Sequence, residues 1–314
     1  MKQFALKVND NDTLIGHSWE VENATANVVI FQGMEEHGLR YAEFAEFLNK
    51  NSMNVYALDC YGQGANVGED YSKMGIWDEN GFDKMVNAYH SMVLEANKNG
   101  LKTHIFSHSM GSFMCQKFIQ KYPGCVERTV LCGTGSKKGG ITIAIALAKH
   151  ASKGDKRNQK ASFLNNMMFG SFPGSVKNHK TDFDWLSYNE ENVKRYIDDP
   201  LCGFVPSNGF CYEFLVGMHS LYTKKGLNSI DKNQKIFLIS GEEDVVTGFT
   251  KRTEIMYKLY KSLGIKDVEK KIYPHARHEI LFEECREVVY KDVLKFFTSI
   301  YTLSSKQPYH FRIY

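Results

Sequence analysis

At 314 residues, with 43% hydrophobic and 24% charged side chains, the chain is long enough to bury one large core, as one domain with an insertion or as two domains, and too apolar to be disordered throughout. A net charge of +3, from 39 basic and 36 acidic residues, excludes a chain-wide nucleic-acid footprint, so no nucleic-acid partner is expected. The seven cysteines, Cys60, Cys115, Cys125, Cys132, Cys202, Cys211 and Cys285, are odd in number, form no CxxC pair and have no His/Cys ligand spacing, so they read as buried thiols of a reducing compartment, with no metal site.

The opening MKQFALKVNDNDTLIGHSWEV has no apolar leader segment. It predicts two strands, over 4–8 and 14–21, joined by the turn-prone NDND. Continuous apolar runs then alternate with helical patterns. NVVIF precedes a helix over 41–50, NVYAL one over 82–99, and THIFS one over 110–122. RTVLC follows; later KIFLIS precedes a helix over 250–263 and VEKKIY one over 282–301. Parallel strands buried on both faces give apolar runs of this kind, so the expected architecture is a doubly wound α/β sheet with an antiparallel start. The rhythm breaks between 136 and 227, where helical stretches, scattered prolines and DDPLCGFVPSNGF predict a mainly helical cap inserted between core segments 1–135 and 228–314. The longest apolar run, ITIAIALA, is too short to span a bilayer, and a soluble, cytoplasmic protein is expected. The tail SSKQPYHFRIY reads equally as a docked strand or a loose end.

IFSHSMGSF, residues 105–113, places Ser109 between an apolar run and a helix. A serine there is either an ordinary helix cap or the apex of a nucleophile elbow, flanked two residues away on each side by small residues, here Ser107 and Gly111. Catalytic side chains of a doubly wound sheet gather after the carboxyl ends of strands, which gives the rest of the chain a positional test. KIFLISGEEDVVTG offers Asp244, with Glu242 and Glu243 as alternative acids, and KKIYPHARHEILFEE offers His278, with His275 as the alternative base. Asp244 is also a plausible helix cap, and either histidine a surface residue. The order Ser, Asp, His nevertheless is the one that elbow-type hydrolases require. Negative charge building on a carbonyl oxygen during acyl transfer needs backbone N–H donors, each worth about 2.7–4 kcal/mol. Met110 follows the candidate nucleophile, and FQGMEEHGLRY offers Met34 with Gly33 allowing close approach; the bland alternative is a glycine turn.

The blocks GMEEHGLRYAEFAEFLNKNSMNVYALDCYGQG, SHSMGS, SGEEDVVTG and ARHEILFE resemble those of the monoacylglycerol lipase and lysophospholipase-like group of serine α/β-hydrolases, from about residue 32 to 284. DDPLCGFVPSNGF is similar to cap segments of bacterial members. The resemblance implies an α/β-hydrolase fold, an eight-stranded, mostly parallel sheet with a helical cap. It implies Ser109 as nucleophile, Asp244 as acid, His278 rather than His275 as base, and Met34 and Met110 as oxyanion donors. Three departures stand out. Gln32 replaces the histidine before the oxyanion glycine, Ser107 the elbow glycine, and Gln63 the histidine of a GHG motif, and together they put the polarity of the pocket mouth in question.

The function expected is cofactor-free hydrolysis of carboxylic esters of lipid-like molecules, a monoacylglycerol or a lysophospholipid, through an acyl-enzyme. A carboxylesterase for short or aromatic esters and a non-catalytic hydrolase-fold binding protein are the alternatives. The partner is a small-molecule ester or lipid. Nine Lys or Arg residues against Asp155 alone between 136 and 180, with ITIAIALAKH and FLNNMMFGSF, suit transient contact of the cap with an anionic membrane surface; a solvated lysine face over cap core is the plainer reading.

Overall fold

The computed structural model describes residues 1–137 and 139–299. Eight strands form one sheet in the order β1-β2-β4-β3-β5-β6-β7-β8. β1 (Lys2–Lys7) and β2 (Thr13–Trp19) make the expected hairpin, and β2 pairs antiparallel with β4 (Met53–Leu58). β3 (Ala26–Phe31), β5 (Lys102–His108), β6 (Arg128–Cys132), β7 (Lys235–Gly241) and β8 (Asp267–Tyr273) continue the sheet in parallel.

The strands are apolar runs rather than alternating ones because both faces of the sheet are covered. All six residues of β3 are buried. Val29 and Phe31 enter one core with Phe82, Met85 and Tyr89 of α2 (Gly81–Ala96), Met114 and Phe118 of α3 (Met110–Lys121) and Met256 and Tyr260 of α9 (Lys251–Ser262). Val28 and Ile30 enter the opposite core with Phe44 and Leu48 of α1 (Ala42–Lys50) and Val289 and Val293 of α10 (Arg286–Thr298). The period-2 alternation of a strand thus feeds two apolar layers at once.

Between β6 and β7 come α4 (Ile141–Ala151), α5 (Ser162–Phe169), α6 (Glu190–Asp198), α7 (Asn208–Ser220) and α8 (Lys224–Ser229). Ala148, Ala161, Leu164, Cys211 and Leu215 form a small core of their own within this segment.

The last helix begins at Arg286, four residues after the sequence expectation. The Glu283 carboxylate accepts from the N–H groups of Arg277 and Tyr188, and the Glu279 N–H donates to Leu186, so 279–285 is held as a turned connection. The tail SSKQPYHFRIY and the expected helix end at 300–301 lie outside the described residues. Among the described residues, no helix is long and apolar enough to cross a membrane.

Candidate active site

β5 ends at His108 and α3 begins at Met110, leaving Ser109 alone at the turn. Its backbone sits at φ 49°, ψ −117°, a conformation that costs an L-residue energy and that persists only where the surroundings impose it. The Ser109 hydroxyl accepts no hydrogen bond from the first turn of α3, so the serine is not acting as a cap. Gly111 allows the sharp turn, since a Cβ there would lie 2.1 Å from the Phe31 carbonyl oxygen. Ser107 is tolerated in place of an elbow glycine because its side chain is buried and its hydroxyl donates to the Val130 carbonyl at 2.6 Å.

Asp244 follows β7 and is itself fully buried, its Oδ1 accepting from the N–H groups of Val246 (2.8 Å) and Thr247 (3.3 Å). His278 follows β8, and its Nδ1 lies 3.1 Å from both Asp244 carboxylate oxygens. The alternatives are elsewhere. Glu242 and His275 are exposed, and Glu243 accepts from the Tyr188 hydroxyl at 2.6 Å. Asp244 does not cap α9, whose N-cap is Thr250. Gly133, at φ 60°, lies against the His/Asp pair; a Cβ there would be 2.8 Å from His278 Cε1 and 3.4 Å from Asp244 Oδ2.

The loop after β3 is braced by three buried side chains. Gln32 Nε2 donates to the Glu36 carbonyl (2.9 Å), Gln63 Nε2 donates to the Gly33 carbonyl (3.0 Å), and the Gly33 N–H donates to Glu36 Oε1. Gln32 and Gln63 are fully buried and absent from the cavity wall, so these departures shape the loop's support and not the polarity of the mouth. Among the described residues, neither the Met34 N–H nor the Met110 N–H has a hydrogen-bond acceptor. Two unpaired donors beside a serine are the arrangement an oxyanion needs.

Sequence reasoning missed the ionic cluster beneath this loop. Arg40 Nη1 donates to Glu36 Oε2 and to Glu279 Oε1, both at 2.7 Å, and Nη2 donates to Glu279 Oε2 (2.8 Å). Asn192 of α6 donates to the same Glu279 oxygen at 2.8 Å. His108, next to Ser109, places Nδ1 3.3 Å from Glu36 Oε1. Burial by itself would raise the Glu36 carboxyl, but the His108 hydrogen bond, the Arg40 charge and the Tyr41 hydroxyl outweigh it and hold the carboxyl at about 2. Glu279 is likewise lowered, its desolvation outweighed by Arg40. The i,i+4 spacing of Glu36 and Arg40 was the available signal, but their partner Glu279 is 239 residues from Arg40.

Because both carboxylates are almost wholly buried, Arg40→Ala is expected to destabilise the fold by about 3–5 kcal/mol at pH 7, measured by urea denaturation. Glu36 has a depressed folded pKa, so its contribution is complete above the unfolded value of 4.5 and is lost as pH falls toward 2. The gap between wild type and variant should narrow over that window.

Ser109, His278, Met34 and Met110 line one open cavity of about 760 Å³ whose wall is mainly apolar, including Phe113, Leu147, Met167 and Phe172. Asp244 lies behind His278, outside the wall. Trp185 stands over the imidazole, ring centroids 5.4 Å apart. Among the described residues, one group has the makings of a metal ligand set. His37, Asp199 and Cys202 hold ligand atoms within 4.8 Å of one another, but His37 Nε2 already pairs with Asp199 at 2.8 Å and none of the three lines the cavity.

A family model described as Hydrolase_4, serine aminopeptidase S33, matches residues 22–285. The chain is similar to the monoacylglycerol lipase of Mycolicibacterium smegmatis, 23% identical over 278 residues that make up 87% of this chain and 88% of that protein. Among solved structures it is similar to a thermostable carboxyl esterase from Bacillus coagulans in complex with glycerol, with TM-score 0.87 and 21% identity over 94% of this chain and 97% of that one. It is also similar to a soluble variant of monoglyceride lipase from Saccharomyces cerevisiae bound to a substrate analog, with TM-score 0.74 and 16% identity over 94% and 93% of the two chains. An α/β-hydrolase sheet, a strained serine at the strand-to-helix turn and a family match across most of the length lead to one conclusion: the chain belongs to the Hydrolase_4 (serine aminopeptidase, S33) family of serine hydrolases.

Proposed function

We propose that the protein hydrolyses carboxylic esters of lipid-like molecules, monoacylglycerols or lysophospholipids, with Ser109 as nucleophile, His278 as base and Asp244 as acid. The observation that carries this reading is the His278–Asp244 pair, 3.1 Å apart, with His278 and strained Ser109 both opening onto one apolar cavity. His278 Nδ1 is committed to Asp244, which leaves Nε2 to take the Ser109 proton as Oγ bonds to the ester carbonyl carbon. The N–H groups of Met34 and Met110 hold the resulting oxyanion. Collapse breaks the ester C–O bond, and the imidazolium returns its proton to the leaving alcohol. Water, deprotonated by the same nitrogen, then releases the acid and frees the serine. The chemistry uses no cofactor.

Residues 136–227 act as a cap over this site in the same reading, with α4 and α5 supplying much of the apolar wall. Kinetics on a monoacylglycerol, a lysophospholipid and a short aryl ester test the substrate class, and fluorophosphonate labelling of Ser109 tests competence. Preference for the aryl ester would favour a simple carboxylesterase, and absence of labelling a non-catalytic binding protein.

The cap is also proposed to touch anionic membrane surfaces. Ile143 and Leu147 of α4 and Phe163 and Met167 of α5 are exposed, beside exposed Lys149, Lys153, Lys156 and Lys160. Apolar side chains flanked by cations are held at a lipid interface by burial and by charge together. Sedimentation with phosphatidylglycerol vesicles should show binding that weakens as salt rises and that Phe163→Asp reduces. Equal binding to phosphatidylcholine vesicles at all salt concentrations would refute it.

A further inference from the structure

We propose that Glu35 is a substrate-contacting, specificity-determining residue: its carboxyl takes a hydroxyl group on the alcohol portion of the ester, so that esters of a neutral polyol are preferred over those of a plain alcohol. The inference rests on the ester-hydrolase reading and deepens it.

Glu35 follows Met34, the candidate oxyanion donor, and lines the same cavity. Its backbone is pinned on both sides. The N–H donates to Gln63 Oε1 (2.9 Å), and the carbonyl accepts from the Gly203 N–H (3.1 Å) and the Tyr196 hydroxyl (3.0 Å). The residue sits at φ 60°, where glycine or asparagine is at ease and a glutamate is not. Nothing in the fold rewards the side chain for being there. Among the described residues, the buried Oε1 has no hydrogen-bond partner, and no Lys, Arg or His pairs with the carboxyl.

The contrast with the next residue is sharp, because the Glu36 carboxyl is saturated by Gly33, Arg40 and Tyr41. A buried, unsatisfied polar group in a native structure demands an explanation; among the described residues the second oxygen, Oε2, is also unpaired but not closed off, and it is the atom that a ligand in the cavity can meet. The titratable groups close to Glu35 are Tyr196 and the Cys211 thiol of α7, both kept neutral by burial; Arg40 is engaged by Glu36 and Glu279. With no cation to hold its charge, burial pushes the Glu35 carboxyl up to about 8. At neutral pH it is therefore a carboxylic acid that both donates and accepts, which matches a hydroxyl group. Once ionised, it repels a phosphate and still accepts from a hydroxyl.

The test uses three esters of one acyl chain, with glycerol, with ethanol and with glycerol phosphate, against wild type, Glu35→Gln and Glu35→Leu. Wild type should prefer the glycerol ester to the ethyl ester. Glu35→Leu should lower kcat/KM for the glycerol ester by about 3- to 10-fold, the loss of one neutral hydrogen bond, and leave the ethyl ester within about 2-fold. Glu35→Gln, which still donates and accepts, should keep the preference. Equal losses on both esters, or none on either, would overturn the proposal.

Should Glu35→Leu not fold, a second comparison decides. Wild-type kcat/KM for the glycerol phosphate ester, relative to the ethyl ester, should fall as pH passes about 8, and Glu35→Gln should abolish that fall. A fall that persists in Glu35→Gln removes Glu35 from the explanation. Failure of the hydrolase reading looks different, because wild type would then cleave none of the three esters and would not label with fluorophosphonate.

Discussion

Ser109→Ala is expected to lower kcat on a monoacylglycerol by about 10⁶-fold, with the variant folded as judged by circular dichroism and thermal unfolding. The size follows from what is lost. In the proposed cycle no acyl-enzyme forms without Oγ, and the acceleration left comes from the two proposed backbone donors and from binding, about 10³–10⁴ over water in comparable triads. Stability should change little, because alanine keeps the Cβ and therefore the strain at φ 49°, and the hydroxyl removed makes no capping hydrogen bond. A folded variant with wild-type turnover would end the assignment. So would fluorophosphonate labelling that survives the substitution.

Asp244→Asn should lower kcat by about 10⁴-fold while leaving KM close to wild type. Asp244 is fully buried, and both of its oxygens lie 3.1 Å from His278 Nδ1, so in the proposed cycle its charge steadies the imidazolium formed as the serine gives up its proton. The amide retains the shape and one acceptor, but it carries no charge and offers an N–H where the imidazole also presents one, which favours the wrong tautomer. Steady-state kinetics of the folded variant measure the drop. If kcat falls no further than for substitutions at exposed Glu242, the carboxylate is structural.

Much of the architecture could be read from the chain because local patterns and the global fold agree. Continuous apolar runs announced parallel strands fed by two cores, and the hairpin, the eight strands and the mostly parallel sheet follow that expectation. The likeness to monoacylglycerol lipases, carried by blocks such as SHSMGS and GMEEHGLRY, agrees with the relatives found. For the site, the strand-end rule pointed to Ser109 and narrowed the acid to Asp244, Glu242 or Glu243 and the base to His278 or His275; the family resemblance chose Asp244 and His278, and the structure brings these two into contact. What remained hidden depends on long-range partners. Glu279 reads as a neighbour of the base until Arg40 is seen against it, and the last helix begins late because Glu283 is occupied by two backbone N–H groups from other segments. Gln32 and Gln63 looked like changes to the pocket mouth because a motif shows which residue is unusual, and only the fold shows which way it faces.

The cluster around Arg40 has a consequence for chimeras. One guanidinium joins the loop after β3, the segment that follows the catalytic histidine candidate, and α6 through Asn192. Grafting a foreign segment in place of residues 136–227 would remove Asn192 and leave Glu279 short of one donor inside the protein. A transplant designed by chain boundaries alone would thus disturb the ground on which the imidazole stands, and a tolerant exchange would carry its own matched partner for Glu279.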